Sequence, residues 1–430
     1  MALAAAMLLA GATAPAQVAP IDVQHYRVRL QPDIAAGTLR GEEDVRLCLL
    51  GDGDTVSLDA GALSIDGATL GKHALPTSRE GKTLAITLPR AYRAGACLTV
   101  RLHYSGKGSY GLQLHADRRQ AYTIFSTSQW MPANDAPADR ATLDLDVALP
   151  GGLRAIGTGD ALAVRHAGGS TTHRWRLRQA MPSYLYGFAA GTFTHASFEA
   201  NGITFELLGD GFDAVQLQRI FADTPAMLAF FADKAGVPYP HRVYSQALVA
   251  DTVGQELAGM ALVSEAYGRE VLADPTRQGL IAHEAAHQWW GNGATNLDWR
   301  QFWLNEGITT FMAAAWMQHR FGDAAYDAQV ERWRTRVGKL RADGKDKPLV
   351  FPDWNKPSGD DRAVVYSKGA YAMHLLREQL GEDAFWKGLR AYTRTHMGKT
   401  ATTADLQQAM QAASGRDLSE FFREWAGVAD

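Results

Sequence analysis

The chain has 430 residues, of which 46% are hydrophobic and 21% charged, and its formal net charge at pH 7 is −3. This length allows two or three domains, and the composition is that of a globular protein with a sizeable buried core. Because the chain has neither a basic balance nor a basic patch, we do not expect it to bind nucleic acid.

The N-terminal residues 1–17 are predicted to form a signal peptide. The apolar run at residues 2–10 has the length of a signal-peptide hydrophobic region and is too short for a membrane-spanning helix. Ala12, Ala14 and Ala16 offer cleavage sites, but no Lys or Arg precedes the run, so either the true start lies upstream or this is an Ala-rich leader. No later stretch has the length of a membrane helix, and we expect a soluble mature protein that is periplasmic or secreted.

Residues 18–200 are predicted to form an antiparallel β domain. Segments 25–30, 141–149 and 174–177 alternate apolar and polar side chains, which is the pattern of half-buried strands. Clusters of Gly, Asp and Pro separate these segments, as expected of turns between strands.

Both cysteines, Cys48 and Cys97, fall in this predicted β domain. In an exported protein they could form one disulfide between neighbouring strands, and the alternative is two buried thiols; their spacing does not decide between these. Two cysteines cannot build a Cys-rich zinc site, so any metal site in this chain has to use His and carboxylate ligands.

Residues 201–430 are predicted to form a second, mainly helical domain, which makes the fold class α+β. After a short strand near residues 201–205, the apolar residues recur at helical spacing. Several of the predicted helices end at Gly or Pro, and they cover residues 212–235, 277–290, 306–320, 366–380, 403–413 and 419–425. The charged residues 339–347 are predicted to form an exposed loop.

A metal-binding motif, His283-Glu-Ala-Ala-His287, lies on the second of these helices. Histidines four residues apart face the same side of a helix, where one ion can bind both, and Glu284 between them can act as a general base on a water molecule. Glu306, at the start of the next helix, supplies a third ligand. Two His and one Glu with one open position favour Zn²⁺, one ion per chain, over cobalt or manganese.

The alternative is that these are chance surface histidines, since the motif alone also occurs without a metal. Three features argue against that alternative: the helical context, the position of Glu306, and the apolar residues that flank both histidines. The sequence therefore predicts zinc-dependent hydrolysis of peptide bonds.

These motifs resemble those of the aminopeptidase N family of gluzincins. Residues 283–292 and 303–307 resemble the zinc-binding sequences of that family. The similarity extends from about residue 22 to the end of the chain. Residues 130–142 resemble the family's Pro-Cys-x-Asp-x-Pro segment, with Ala133 in place of Cys. Residues 236–240 resemble the start of the catalytic domain, residues 365–370 resemble its Tyr-x-Lys-Gly motif, and residues 421–425 resemble its end.

The resemblance implies a saddle-like β domain packed on a thermolysin-like catalytic domain. It also implies that Tyr366 donates a hydrogen bond to the oxyanion of the tetrahedral intermediate. By itself, Tyr366 is a tyrosine at a helix start, where most such residues are structural.

The strand that binds the substrate amine in this family is altered here. The family has Gly-x-Met-Glu-Asn-Trp-Gly, whereas this chain reads Val-Gly-Gln-Glu-Leu-Ala-Gly-Met-Ala-Leu over residues 253–262. Aligning Met260 with the Met of the family leaves Ala261 in the position of the Glu. Aligning Gly259 with the second Gly places Glu256 on the Glu, Gln255 on the Met and Val253 on the first Gly.

We favour the second alignment because a cationic amine requires an anion, and only this alignment supplies one. Glu256 is thus predicted to bind the substrate, together with the neighbouring Gly254 and Gln255; the alternative is a solvated Glu256 at the rim. A second amine anchor of the family has Gln129 as its nearest counterpart, although Gln129 could equally be an ordinary strand residue.

The chain stops at Asp430, soon after the predicted catalytic domain, whereas larger relatives carry a helical C-terminal domain over the cleft. We therefore expect a more open active site, or one covered by a second subunit, that accepts longer peptides or internal bonds more easily. The sequence does not specify an oligomeric state.

Three functions compete. The favoured one is a zinc aminopeptidase acting on short peptides. The second is an endopeptidase or dipeptide-releasing peptidase that needs no free amine. The third, a non-catalytic peptide-binding protein, is disfavoured because Glu284, Tyr366 and all three metal ligands are intact.

Overall fold

The computed structural model describes residues 17–251, 254–351, 354 and 357–427. The predicted signal peptide, apart from Gln17, therefore lies outside the described residues, as does Val253.

The first domain consists of strands that form three sheets. Their bounds are β1 Ile21–Asp33, β2 Thr38–Leu49, β3 Gly53–Asp59, β4 Ser64–Leu70, β5 His73–Ala74, β6 Thr77–Glu80, β7 Thr83–Tyr92, β8 Cys97–Lys107, β9 Leu112–His115, β10 Gln120–Thr123, β11 Ala141–Pro150, β12 Arg154–Gly157, β13 Asp160–Ala167, β14 Ser170–Met181 and β15 Phe188–Gly191. The largest sheet has eight strands in the order β13-β14-β11-β1-β2-β8-β4-β5, and smaller sheets have the orders β12-β15-β10-β9 and β3-β7-β6.

The alternating sequence pattern corresponds to the burial of the strands. In β1, Val23, Tyr26, Val28 and Leu30 are buried while the intervening side chains face outward. The named strands of this domain pair antiparallel, as predicted, except that β1 pairs in parallel with β11. The alternating pattern of a strand does not encode the direction of its partner, so the sequence could not indicate this pair.

Cys48 and Cys97 form a disulfide. They are directly paired residues on β2 and β8, with their Cα atoms 4.0 Å apart. Of the two alternatives left open by the sequence, the cross-strand disulfide is the one in the structure, and Cys97 is exposed rather than buried.

The second domain begins with a five-stranded sheet in the order β16-β17-β18-β20-β19. The strands are β16 Thr194–Ala200, β17 Ile203–Gly209, β18 Val243–Val249, β19 Gly254–Leu257 and β20 Met260–Ser264. The periodicity of the sequence predicted only one short strand here, and the family resemblance added the strand region at residues 253–262. Strands β18 to β20 are buried on both faces, so they lack the alternation that identifies a strand.

The predicted domain boundary at residues 200 and 201 falls in the turn between β16 and β17, which pair with each other. The strand β16 therefore belongs to the sheet of the second domain, and the exact boundary stays a prediction.

Helices and one small sheet complete the second domain. They are α1 Ala214–Ile220, α2 Thr224–Ala235, α3 Glu265–Ala273, α4 Gly279–Ala286, α5 Trp303–Phe321, α6 Asp323–Ala342, α7 Gly359–Ala363, α8 Gly369–Leu380, α9 Glu382–His396, α10 Thr403–Ser414 and α11 Ser419–Ala426. A π-helical segment, Val364–Lys368, joins α7 to α8, and β21 Ala294–Asn296 pairs in parallel with β22 Lys399–Ala401.

Several predicted helices differ from the observed ones. Residues 212–235 form two helices because Asp213 caps α1 and a proline begins α2. The α-helix that carries the metal motif ends at Ala286 instead of residue 290. The predicted loop over residues 339–347 is helical as far as Ala342, and α3, α6 and α9 were not predicted.

A small apolar cluster joins the two domains. Tyr122, Ile156 and Ala189 of the first domain pack with residues of the five-stranded sheet, including Leu257 and Leu262. None of the described helices is both long and apolar enough to span a lipid bilayer.

Polar contacts reinforce this interface. The guanidinium of Arg118 lies 2.6 Å from the carboxylate of Glu265 at the start of α3. Arg140 donates to the Thr295 hydroxyl at 2.6 Å and to the Asn292 carbonyl at 3.2 Å. This ion pair and these hydrogen bonds hold the first domain against the second.

Candidate metal centre

Three side chains converge at the junction of α4 and α5. His283 lies in the last turn of α4, His287 is the residue after the helix, and Glu306 lies in the first turn of α5. The Nε2 atoms of His283 and His287 are 3.1 Å apart, and they lie 3.2 Å and 3.4 Å from Oε2 of Glu306. Donor atoms arranged tetrahedrally around zinc, each about 2.0–2.1 Å from the ion, are separated by roughly 3.3–3.4 Å. The three residues therefore fit a single zinc ion.

The outer nitrogen of His287 is held by the backbone. His287 Nδ1 lies 3.0 Å from the carbonyl oxygen of Trp290, which also accepts a hydrogen bond from the Thr309 hydroxyl at 3.0 Å. Because a carbonyl oxygen only accepts, Nδ1 carries the hydrogen and Nε2 keeps its lone pair for the metal. The backbone thus fixes both the tautomer and the ring orientation of His287 for metal binding.

Three buried carboxylates surround this centre. Burial alone would raise the pKa of Glu306, but His287 and His283 outweigh it and hold that pKa below its ordinary value. Burial raises the pKa of Glu256 and of Glu284, and the neighbouring carboxylates add to the increase. The three carboxylates thus lie close enough to disfavour each other's ionisation, and a bound divalent cation would relieve this repulsion.

Glu284 points into the same space from α4. Its Oε2 atom is buried and has no hydrogen-bond partner among the described residues. Its Oε1 atom lies against Gly254 so closely that a Cβ added at Gly254 would be 2.2 Å away. Glycine at this position leaves room for the carboxylate of Glu284.

Glu256 lies on β19, the edge strand of the five-stranded sheet, and is 7% exposed. Its Oε2 accepts a hydrogen bond from Gln255 Nε2 at 2.9 Å, whereas Oε1 is buried without a partner among the described residues. The donor atoms of Glu256, Glu284 and His287 all lie within 4.8 Å of one another. Glu256 is therefore a buried residue of the site, and the alternative of a solvated rim residue is wrong.

The arrangement of the strands favours the second of the two alignments. Met260 and Ala261 lie on β20, an inner strand, and Ala261 pairs with Glu256 across the ladder. Gln255 lines the cleft and accepts a hydrogen bond from the backbone N–H of Phe125 at 2.8 Å. Gln255 thus fixes Glu256 and links it to the first domain.

Tyr366 occupies the π-helical segment. Its ring stacks on that of His283, with the centroids 6.0 Å apart. Burial, followed by the charges of Glu306 and Glu256, raises the pKa of Tyr366 well above its ordinary value, so the hydroxyl keeps its hydrogen at neutral pH. The structure brings Tyr366 to the metal ligands, as the resemblance implied.

Gln129 is not brought to the site. It is the last residue of the 3₁₀ turn Thr127–Gln129, and its side-chain amide lies against Gly61, where an added Cβ would be 2.5 Å from Nε2. Phe125 and Ser126 line the cleft in this region, and Gln129 is not among the lining residues.

The cleft consists of two adjoining cavities of about 450 Å³ and 640 Å³. They share Tyr110, Gly254, Gln255, Glu256, Glu306, Arg362 and Tyr366. The aromatic wall of Phe125, Phe302 and Trp354 and the side chain of Arg362 were not predicted from the sequence. The only sequence signal for Arg362 is its position four residues before Tyr366.

The fold and the site define a class of protein, the two-domain metallopeptidases in which a β domain packs on a helical domain with a His-Glu-x-x-His helix and a downstream Glu. Residues 221–425 match the peptidase family M1 domain, and residues 22–185 match the peptidase M1 N-terminal domain. The chain belongs to peptidase family M1, and zinc is its cofactor. The predicted family, the α+β fold class and the predicted metal are confirmed.

Two relatives illustrate the similarity in sequence. Aminopeptidase M1 of Arabidopsis thaliana is 24% identical over 442 residues, covering 94% of this chain and 50% of the plant protein. Aminopeptidase N of Streptomyces lividans is 25% identical over 429 residues, covering 91% of this chain and 48% of the bacterial protein. The chain thus spans about half the length of these relatives.

Solved structures match the whole architecture. The M1 zinc metallopeptidase of Deinococcus radiodurans is 24% identical, with a TM-score of 0.81 and 94% of both chains covered. A mutant two-domain M1 zinc metallopeptidase with bound L-arginine is 25% identical, with a TM-score of 0.81 and the same coverage.

Proposed function

We propose that this chain is a zinc-dependent aminopeptidase that removes N-terminal residues from short peptides. The observation that carries this proposal is the unpartnered carboxylate oxygen of Glu256, buried beside Glu284 and His287. A protonated α-amine is a cation and needs an anion when it enters a water-poor cleft. With the amine at Glu256, the first peptide bond is the one placed at the metal ligands.

The neighbouring strand and the known relatives agree with this proposal. One side of the edge strand β19 is unpaired among the described strands, so an extended peptide can add to it as a further strand, with Gly254 and Gln255 beside the bound amine. The two relatives named above are aminopeptidases, and the 25% identical structure holds a free amino acid.

Each catalytic side chain has a defined task in the proposed reaction. His283, His287 and Glu306 would hold the zinc ion, which would supply a Lewis acid for the scissile carbonyl and lower the pKa of water to roughly 7. Glu284 accepts the proton of the attacking water and delivers it to the nitrogen of the leaving amine. The Tyr366 hydroxyl donates a hydrogen bond to the carbonyl oxygen as negative charge develops there.

The test compares one peptide with its N-acetylated twin, by mass spectrometry, with and without a chelator. We expect only the free peptide to be shortened, from its N-terminus, and the chelator to stop the reaction. Cleavage of both peptides at internal bonds would instead establish an endopeptidase.

A matched pair of variants tests the role of Glu256. We expect Glu256→Gln to raise KM for the free peptide about tenfold or more, because a buried ammonium loses its charged partner. Glu199→Gln, an exposed change on β16, should leave KM unchanged.

We also propose that the protein is exported to the periplasm or secreted. The cross-strand disulfide supports this, because such bonds persist in oxidising compartments. N-terminal sequencing of the protein recovered from cell fractions tests the proposal, and an intact leader on protein confined to the cytoplasm would contradict it.

A further inference from the structure

We propose that Arg362 is a substrate-binding residue that recognises a carboxylate of the peptide, in the first place the C-terminal carboxylate of a di- or tripeptide. This deepens the proposed function and rests on it, since it names the substrate class of the same cleft.

Arg362 faces the cleft from the helix that leads into the site. It lies on α7, four residues before Tyr366, and both side chains line both cavities together with Glu256 and Glu306. The guanidinium group is therefore part of the surface that a bound peptide contacts.

The Arg362 guanidinium has no partner among the described residues, because the acidic side chains next to it in the sequence are paired with other groups. Asp360 is engaged by Arg336 at 3.3 Å and by Lys345 at 2.7 Å. Asp361 accepts from Lys347 at 2.5 Å and from the backbone N–H of Ser358 at 2.9 Å. The nearest acids in the sequence are thus already satisfied, and Arg362 is left with its donors facing the cleft.

The positive charge of Arg362 contrasts with the acidic side chains that line the rest of the cleft. Among the described residues that line the two cavities, Arg362 is the only Lys or Arg, whereas Asp251, Glu256, Glu284 and Glu306 are acidic. A peptide with free ends carries a positive charge at one end and a negative charge at the other. Glu256 and Arg362 offer the two opposite charges that such a peptide requires.

The spacing selects short peptides. Residues four apart on a helix are separated by about one turn, ~5.4 Å along its axis. An extended peptide advances about 3.3–3.6 Å per residue. With the scissile carbonyl at the Tyr366 hydroxyl, the carboxylate of a di- or tripeptide lies one or two residues further, which is within reach of a long arginine side chain. Arginine binds carboxylates in a bidentate manner.

The test uses three peptides: Leu-Gly-Gly, its C-terminal amide, and the amide of Leu-Asp-Gly, which carries only a side-chain carboxylate. We expect the protein to cleave Leu-Gly-Gly about tenfold more efficiently than its amide, a modest factor because Arg362 is exposed to solvent. Arg362→Gln should abolish this preference through a higher KM for the free acid alone, and Arg362→Lys should restore part of it.

The control is Arg332→Gln, an exposed arginine on α6 outside the cleft, which should keep the preference. A preference that persists in Arg362→Gln, or equal losses for the acid and the amide, would overturn the proposal. Efficient, Arg362-dependent cleavage of the Leu-Asp-Gly amide would support carboxylate recognition and assign it to an acidic side chain.

A binding measurement separates this proposal from the proposed function. Calorimetric titration of Leu-Gly-Gly and of its amide into zinc-loaded Glu284→Gln protein needs no turnover. Tighter binding of the free acid that vanishes with the added Arg362→Gln change would establish the contact, even if N-acetylated peptides proved equally good substrates. Equal affinity for the free acid and for the amide would contradict carboxylate recognition by Arg362, regardless of which peptides the enzyme cleaves.

Discussion

Gly254 and Glu284 depend on each other at the scale of single residues. The backbone of β19 passes so close to the Glu284 carboxylate that no side chain fits between them. The placement of this carboxylate is therefore a property of two distant segments of sequence. The motif His-Glu-x-x-His by itself does not provide it.

We expect Gly254→Ala to lower kcat about 100-fold, since a displacement of about 1 Å in a catalytic group costs that much. Zinc content, measured by mass spectrometry of the metal, should stay at one per chain because no ligand is touched. Gly67→Ala, in a strand glycine with open space around it, is the control. Full activity of Gly254→Ala would contradict the proposed role of Glu284.

The buried carboxyl group of Glu43 makes the stability of the folded protein depend on pH. It is fully buried on β2, both carboxylate oxygens lack a partner among the described residues, and burial raises its pKa well above 4.5. A group whose pKa is raised on folding binds its proton more tightly in the folded state. Its contribution to stability is therefore present at low pH and is lost as the pH rises above 4.5.

We expect Glu43→Met to raise the free energy of unfolding by about 1–3 kcal/mol at pH 7, with a gain that shrinks towards pH 4. Urea unfolding at several pH values measures this. Glu42→Gln, on the opposite and partly exposed face of β2, should not change the pH profile in this way. A gain that is independent of pH would show that Glu43 is not the titrating group.

At the scale of elements, the crossing of α5 and α8 holds two parts of the site together. A Cβ added at Gly307 would lie 2.8 Å from the Cα atom of Gly369, so the two helices touch backbone to backbone. Gly307 follows the metal ligand Glu306, and Gly369 follows the π-helical segment that holds Tyr366. The contact therefore sets the distance between a ligand and the proposed oxyanion donor.

We expect Gly307→Ala to separate the helices, to destabilise the protein by about 1–3 kcal/mol, and to weaken zinc binding about tenfold or more. Thermal unfolding and competition with a zinc chelator measure the two effects. Gly279→Ala, at the open N-terminus of α4, should affect neither. If Gly307→Ala lowers stability but leaves the zinc affinity intact, the crossing does not position Glu306.

The sequence predicts those parts of the site that depend on local spacing. His283 and His287 are one turn apart in any helix, and Glu306 could be recognised as the acid at the start of the next one. Buried strands such as β20, the π-helical segment, and the approach of Gly254 to Glu284 depend on long-range packing. No local pattern encodes them, which is why the aromatic wall with Phe125 was also missed.

At the scale of the whole molecule, the first domain supports the metal centre of the second. The hydroxyl of Tyr184, from the first domain, donates to the carbonyl of Gly291 at 3.2 Å and accepts from Asn305 Nδ2 at 3.0 Å. Asn305 precedes the ligand Glu306. The β domain therefore takes part in ordering the first turn of α5.

We expect Tyr184→Phe to lower the free energy of unfolding by about 1–3 kcal/mol, because a buried donor and a buried acceptor lose their partner. Scanning calorimetry should give one transition at a lower Tm, with both domains unfolding together. Tyr92→Phe, on a partly exposed side chain of the β domain, is the control. An unchanged Tm would mean that this contact does not couple the domains.

Because β1 lies in the middle of the eight-stranded sheet, this sheet can be completed only late in synthesis. Its neighbours in the sheet are β2, which follows directly, and β11, which begins only at Ala141. At a ribosomal rate of about 5–20 residues per second, on the order of ten seconds pass before β11 emerges. During that interval the nascent domain cannot complete its central sheet, so the export proposed above would act on a chain that is still unfolded.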